Sequence, residues 1–198
     1  MAQPWISSVR EKGKLTVYNG LKHGRWLHIF DAALRAFNHF KLPVQLTAAN
    51  DEENANVVMG TSKGEATFDY EGDTYSGNLD PTRLHGLTLL LGRDGRTEKV
   101  AIFLPDDPKS GPMFIGGKAV YERASLDMMK VIAVHELVHA CGLENRDHDT
   151  NDGLFYFPLA PSGDGKIIVP AQGKESNPMP PLRLGASTIT KIKELWSS

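Results

Sequence analysis

The sequence predicts an α/β fold: a twisted mixed sheet of five strands with two long helices, then a small irregular lobe ending in a third helix. Three observations point there. Short apolar or alternating runs of strand length are interleaved with a stretch whose apolar residues recur at helical spacing. Two of the strand-like runs flank Asp94-Gly95, a strong hairpin signal, so one pair in the sheet is antiparallel. A second helical stretch, residues 125–141, is apolar on almost every side and must be buried.

Residues 1–13 show no periodicity and are expected to be irregular and peripheral. Lys14-Leu15-Thr16-Val17-Tyr18-Asn19 alternates polar and apolar, as a half-buried strand does. A turn follows from Gly20 to Gly24. Trp26, Leu27, Ile29, Phe30, Ala33, Leu34, Phe37 and Phe40 then recur at helical spacing over 26–40, as in an amphipathic helix packed against a sheet. His28 and His39 ride on it as surface histidines. Pro43 stops that helix, because proline cannot supply the backbone donor that helix interiors need. Strands are expected at Val44–Ala48 and Asn56–Gly60, separated by a solvated acidic turn, Asn50–Asn54. Residues 61–83, rich in Gly, Asp, Thr and Tyr, predict a long loop.

Strands at Leu84–Gly92 and Lys99–Leu104 flank the turn Arg93-Asp94-Gly95-Arg96. The Pro- and Gly-rich stretch 105–124 predicts another loop. Ser125 is a good N-cap, Asp127 suits the positive end of a helix, and the helix runs to about Cys141. Beyond Gly142 the texture turns polar. Leu154–Phe157 and Lys166–Val169 flank Ser162-Gly163-Asp164-Gly165 and suggest a hairpin. A last helix spans 187–197, with Ile189, Ile192 and Trp196 on one face.

The chain has 198 residues, enough for a single domain with a real core, divided about a cleft into 1–142 and 143–198. A net charge of −2 offers no basic stripe for nucleic acid. No apolar run reaches the roughly 18 residues of a membrane span. Met1-Ala2-Gln3-Pro4-Trp5 lacks the basic start and apolar segment of a secretory signal. The expectation is therefore a monomer that is cytoplasmic or released by a non-classical route. The single cysteine allows no internal disulfide, and Cys141 reads as a buried structural thiol.

The chemistry is concentrated in His135-Glu136-Leu137-Val138-His139-Ala140-Cys141-Gly142. Residues four apart lie one above the other on a helix, so His135 and His139 can aim two imidazoles at one point. Glu136 is rotated round the helix and need not bind a metal. Zinc takes imidazole nitrogen readily and, in catalytic sites, uses three protein ligands plus a water. That water becomes acidic enough for a carboxylate to deprotonate it near neutrality. Two histidines and a glutamate at this spacing form the H-E-x-x-H pattern of metal-dependent peptidases. In a helix this apolar, polar side chains need partners, and a metal supplies one.

The pattern continues. Gly142 falls where a glycine in the left-handed region would end the helix and turn the chain back toward the metal. In these residues the chain resembles the metzincin clan of zinc peptidases, whose motif is H-E-x-x-H-x-x-G-x-x-H with a downstream Met-turn. His135, Glu136, His139 and Gly142 match it. Asn145 stands at the next ligand position, where an amide ligates zinc poorly. His148, three residues further on, is within reach and is assigned as third ligand in a lengthened motif, with Asp147 and Asp149 in reserve. Asn177-Pro178-Met179-Pro180-Pro181 is similar to the Met-turn, nearest to the matrixin and adamalysin type, and Met179 would lie beneath the ligands.

The resemblance implies a zinc-dependent endopeptidase with one Zn²⁺ per chain and Glu136 as general base. It also implies that an extended protein or peptide substrate pairs with an edge strand, for which 84–91 is the candidate. His85 could then face the cleft, but it is read as a plain edge-strand histidine. Tyr156 could help hold the developing oxyanion, but it is read as an aromatic core residue. Two other readings stay open. Glu194 on the last helix could replace His148 as third ligand, as in gluzincin-like peptidases. The chain could also be a zinc-stabilised peptide-binding module, or a degenerate peptidase that does not cut, which Asn145 would suit. Asp147–Gly153 faintly matches a calcium loop, but its glycine comes one place late and Pro158 stands where a glutamate should.

Overall fold

Leu15 and Val17 alternate with polar neighbours along β1 (Lys14–Asn19), and in the computed structural model both are fully buried. The structure describes residues 2–21, 24–81, 85–109, 113–115, 118–121, 123–144, 147 and 182–197. Five strands form the main sheet: β1, β2 (Gln45–Ala49), β3 (Val57–Ser62), β6 (Leu87–Leu91) and β7 (Lys99–Pro105). Their order is β2-β1-β3-β7-β6. The first four run parallel, and β6 pairs antiparallel with β7 at the edge, Leu87 opposite Phe103 and Leu91 opposite Lys99. The Asp94-Gly95 turn that joins them has φ of +54° and +68°, the positive values that a tight hairpin turn demands.

Opposed residues of an antiparallel pair share a face. Thr88 and Leu90 lie opposite Ile102 and Val100, both in the core, so this face of β6 is turned toward the helices. Those helices are α2 (Phe30–Asn38) and α3 (Leu126–His139), which pack on each other and on the sheet. Ser125 caps α3 as expected, its hydroxyl accepting from Met128 N–H at 3.1 Å. Nine of the fourteen residues of α3 are buried. The last helix, α4 (Ala186–Trp196), buries Thr188, Ile192 and Trp196, the last two in the same core as α2 and α3.

Four expectations need correction. The N-terminal segment is not peripheral: Trp5 is fully buried, forms a bridge with Thr97, and precedes a short helix, α1 (Ser7–Arg10). A lone tryptophan has no period, so only its burial reveals it. The helix expected over 26–40 begins as a 3-10 turn at Gly24–His28, and the α-helix starts at Phe30. Trp26 is held there by its indole N–H, which donates to Pro105 O at 2.9 Å.

The stretch 61–83 is not one long loop. After β3 ends it forms a hairpin of β4 (Glu65–Tyr70) and β5 (Asp73–Asn78), closed by Glu71-Gly72 with φ of +50° and +87°. The hairpin covers the other side of the sheet, where Phe68 and Thr67 approach Val58, Ala101 and Phe103 across a small cavity. Within 105–124 lies another short pair, β8 (Met113–Ile115) and β9 (Lys118–Val120). Among the described residues no helix is long and apolar enough to cross a membrane.

Candidate metal centre

The C-terminal turn of α3 carries the motif. His135 and His139 are one turn apart, and their Nε2 atoms lie 3.1 Å from each other, with ring centroids 4.9 Å apart. The Nδ1 of His139 lies 2.8 Å from Leu143 O, which can only accept, so Nδ1 carries the proton. In the neutral imidazole, Nε2 is then a bare lone pair aimed at His135. A backbone carbonyl that fixes the tautomer in this way is the usual support of a metal-binding histidine.

The two nitrogens fit zinc. At Zn–N distances of 2.0–2.1 Å, tetrahedral ligands lie roughly 3.3 Å apart. A cation at this point would also meet the negative end of the α3 dipole. His139 is 3% exposed and His135 half-buried. Among the described residues no third His, Cys, Asp or Glu joins them as a ligand group. His148, Asp149, Asn145, Tyr156 and Met179 all lie outside the described residues, as does the Asp147–Gly153 segment beyond its first residue. Asp147 itself accepts Glu144 N–H on Oδ2 at 2.9 Å, so its carboxylate is engaged in a local turn. Glu194 is exposed on α4, away from the side that Ile192 and Trp196 bury.

Glu136 is 2% exposed. Its Oε1 accepts Gly86 N–H at 2.9 Å and its Oε2 accepts the Thr88 hydroxyl at 2.7 Å. Burial pushes its pKa from 4.5 up to about 7, against the opposing pull of the bonds from Thr88 and Gly86. A cleft of about 460 Å³ opens beside it between β6 and the end of α3, lined by Gly86, Thr88, Leu90, Glu136, His139 and Leu143. His85 is exposed just ahead of β6, and His28 and His39 are exposed as expected.

The exit from α3 is tightly specified. Gly142 has φ of +101°, and its N–H and that of Leu143 both donate to His139 O, at 2.9 and 3.1 Å. A Cβ on Gly142 would come within 2.3 Å of Gln3 O, so no other residue fits. Two indoles complete the turn: Trp5 Nε1 donates to Ala140 O at 2.7 Å and Trp196 Nε1 to Cys141 O at 3.0 Å. Both satisfy carbonyls that a helix end leaves without partners. Cys141 is fully buried, and burial raises its thiol pKa well above the ordinary value, which agrees with an inert structural role.

Gly86, Thr88, Leu143, Trp5 and Trp196 were not marked as site residues from sequence. Two carried a signal. Gly86 interrupts a strand-like run, which often means close approach of another group, and a Cβ there would lie 2.7 Å from Glu136 Cγ. Thr88 is the one polar residue in Leu87–Leu91. No protein-family model matches the chain, and no curated protein matches it.

Proposed function

We propose that the chain is a zinc-dependent endopeptidase in which His135, His139 and His148 hold the metal and Glu136 is the general base. One observation supports this above the others. A carboxyl group is buried and bonded through both oxygens, at the wall of an open cleft that His139 also lines. A purely structural zinc site has no use for such a group.

When bound, zinc would acidify a water and polarise the scissile carbonyl. Glu136 takes a proton from the attacking water as its oxygen adds to the carbonyl carbon. It returns that proton to the amine nitrogen as the C–N bond breaks, so one water is consumed and one acid and one amine are released. Gly86 and Thr88 hold the carboxyl group at the cleft wall. Among the described residues β6 is an edge strand with one side unpaired in the main sheet, which suits an extended peptide.

Zinc content and cleavage of an unfolded protein, measured on wild type and Glu136→Ala together, test the proposal. The expected result is one zinc per chain in both and cutting by wild type alone. Zinc in both without cutting by either would replace the peptidase with a zinc-stabilised peptide-binding module. No zinc in either would return the histidines to the core.

A further inference from the structure

Both oxygens of Glu136 are tethered, to β6 and to the residue just before it, but by unlike donors. Oε1 is held by the backbone N–H of Gly86, which can only donate. Oε2 is held by the hydroxyl of Thr88, which donates and accepts. The same hydroxyl oxygen lies 3.3 Å from the main-chain oxygen of Glu136, a second acceptor for its proton. The terminal torsion of a glutamate is broad and roughly two-fold, so packing of its methylenes does not fix the carboxyl plane. These two bonds do.

We infer that Thr88 is a positioning residue for Glu136, a hydroxyl that holds the carboxyl group in one plane at the cleft wall. The inference rests on the peptidase reading above. Oε1 is anchored by a backbone N–H that cannot turn and Oε2 by the Thr88 hydroxyl, so together they fix the carboxyl plane. Removing the hydroxyl leaves one anchor, and the group can then turn about its terminal torsion.

The test uses the full zinc-loaded chain with Thr88→Val and Thr88→Ser. Valine keeps the shape and removes the hydroxyl; serine keeps the hydroxyl. A misplaced reacting group costs up to about 100-fold, so Thr88→Val should lower kcat roughly 10- to 100-fold. KM and zinc content should stay unchanged, and serine should restore most of the loss. The second readout needs no turnover. In the metal-free protein, subtracting the infrared spectrum of each chain's Glu136→Gln counterpart isolates the Glu136 carboxyl band. That band should shift in Thr88→Val and stay in place in Thr88→Ser.

Unchanged kcat in Thr88→Val, an unshifted band, or failure of serine to rescue would each overturn the role. Should valine prevent folding, Thr88→Ala takes its place in both measurements. If wild type cuts nothing, the peptidase reading falls, and the infrared comparison alone decides whether Thr88 orients the carboxyl group.

Discussion

Glu136 is both buried and ionisable, and the conflict sets a pH dependence. Its pKa rises from 4.5 to about 7 in the folded metal-free chain, so between those values the folded state binds more protons than the unfolded one. Stability is then greatest below 4.5 and falls as pH rises toward 7, by on the order of 3 kcal/mol from this group. Glu136→Gln carries no such loss. Urea unfolding of both metal-free proteins at pH 5 and pH 8 should show the glutamine chain gaining on wild type by about 2–3 kcal/mol at the higher pH. A gap that does not change with pH would mean that burial leaves this carboxyl group unperturbed. At this scale the sequence was half legible. His135, Glu136 and His139 could be read because helical spacing alone brings them together. Gly86 and Thr88 stand out locally, but their contacts with Glu136 could not be read, since these span 50 and 48 residues and depend on which face of β6 meets α3.

Helix α3 was legible in its cap, its buried character and the glycine that ends it, because each is a local property. Its surroundings were not. The N-terminal segment reaches Ala140 across 135 residues, and no pattern around Trp5 announces that. The β4–β5 hairpin escaped because Glu71-Gly72 is a weaker turn signal than Asn-Gly or Asp-Gly, and its strands are largely polar. The two indole bonds predict a measurable dependence. Trp5→Phe and Trp196→Phe each leave a buried carbonyl without its donor, at about 1–3 kcal/mol apiece. Equilibrium unfolding should show both losses, and if zinc binds as proposed its retention should weaken too, since the turn they hold also carries His139 and Leu143. Full stability in both variants would mean that water replaces the indoles at no cost.

On the scale of the whole molecule, the sequence foretold an α/β chain with one antiparallel pair, and the sheet has that composition. The order β2-β1-β3-β7-β6 was beyond reach, because it depends on long-range pairing rather than on any strand's own residues. If zinc binds the folded chain and not the unfolded one, a hundredfold excess over Kd adds about 2.7 kcal/mol. Chelation should therefore lower the Tm of wild type and leave His135→Ala/His139→Ala unmoved; equal Tm values for wild type with and without chelator would rule out a metal coupled to folding. The indole pair at the end of α3 has one more consequence, for the order of assembly. Trp196 leaves a ribosome well after Cys141, and it reaches back 55 residues to that carbonyl. During synthesis α3 and its histidines exist well before that donor arrives. The turn carrying His139 is thus locked only once Trp196 has arrived, and a nascent chain that has not reached it holds the two imidazoles less firmly.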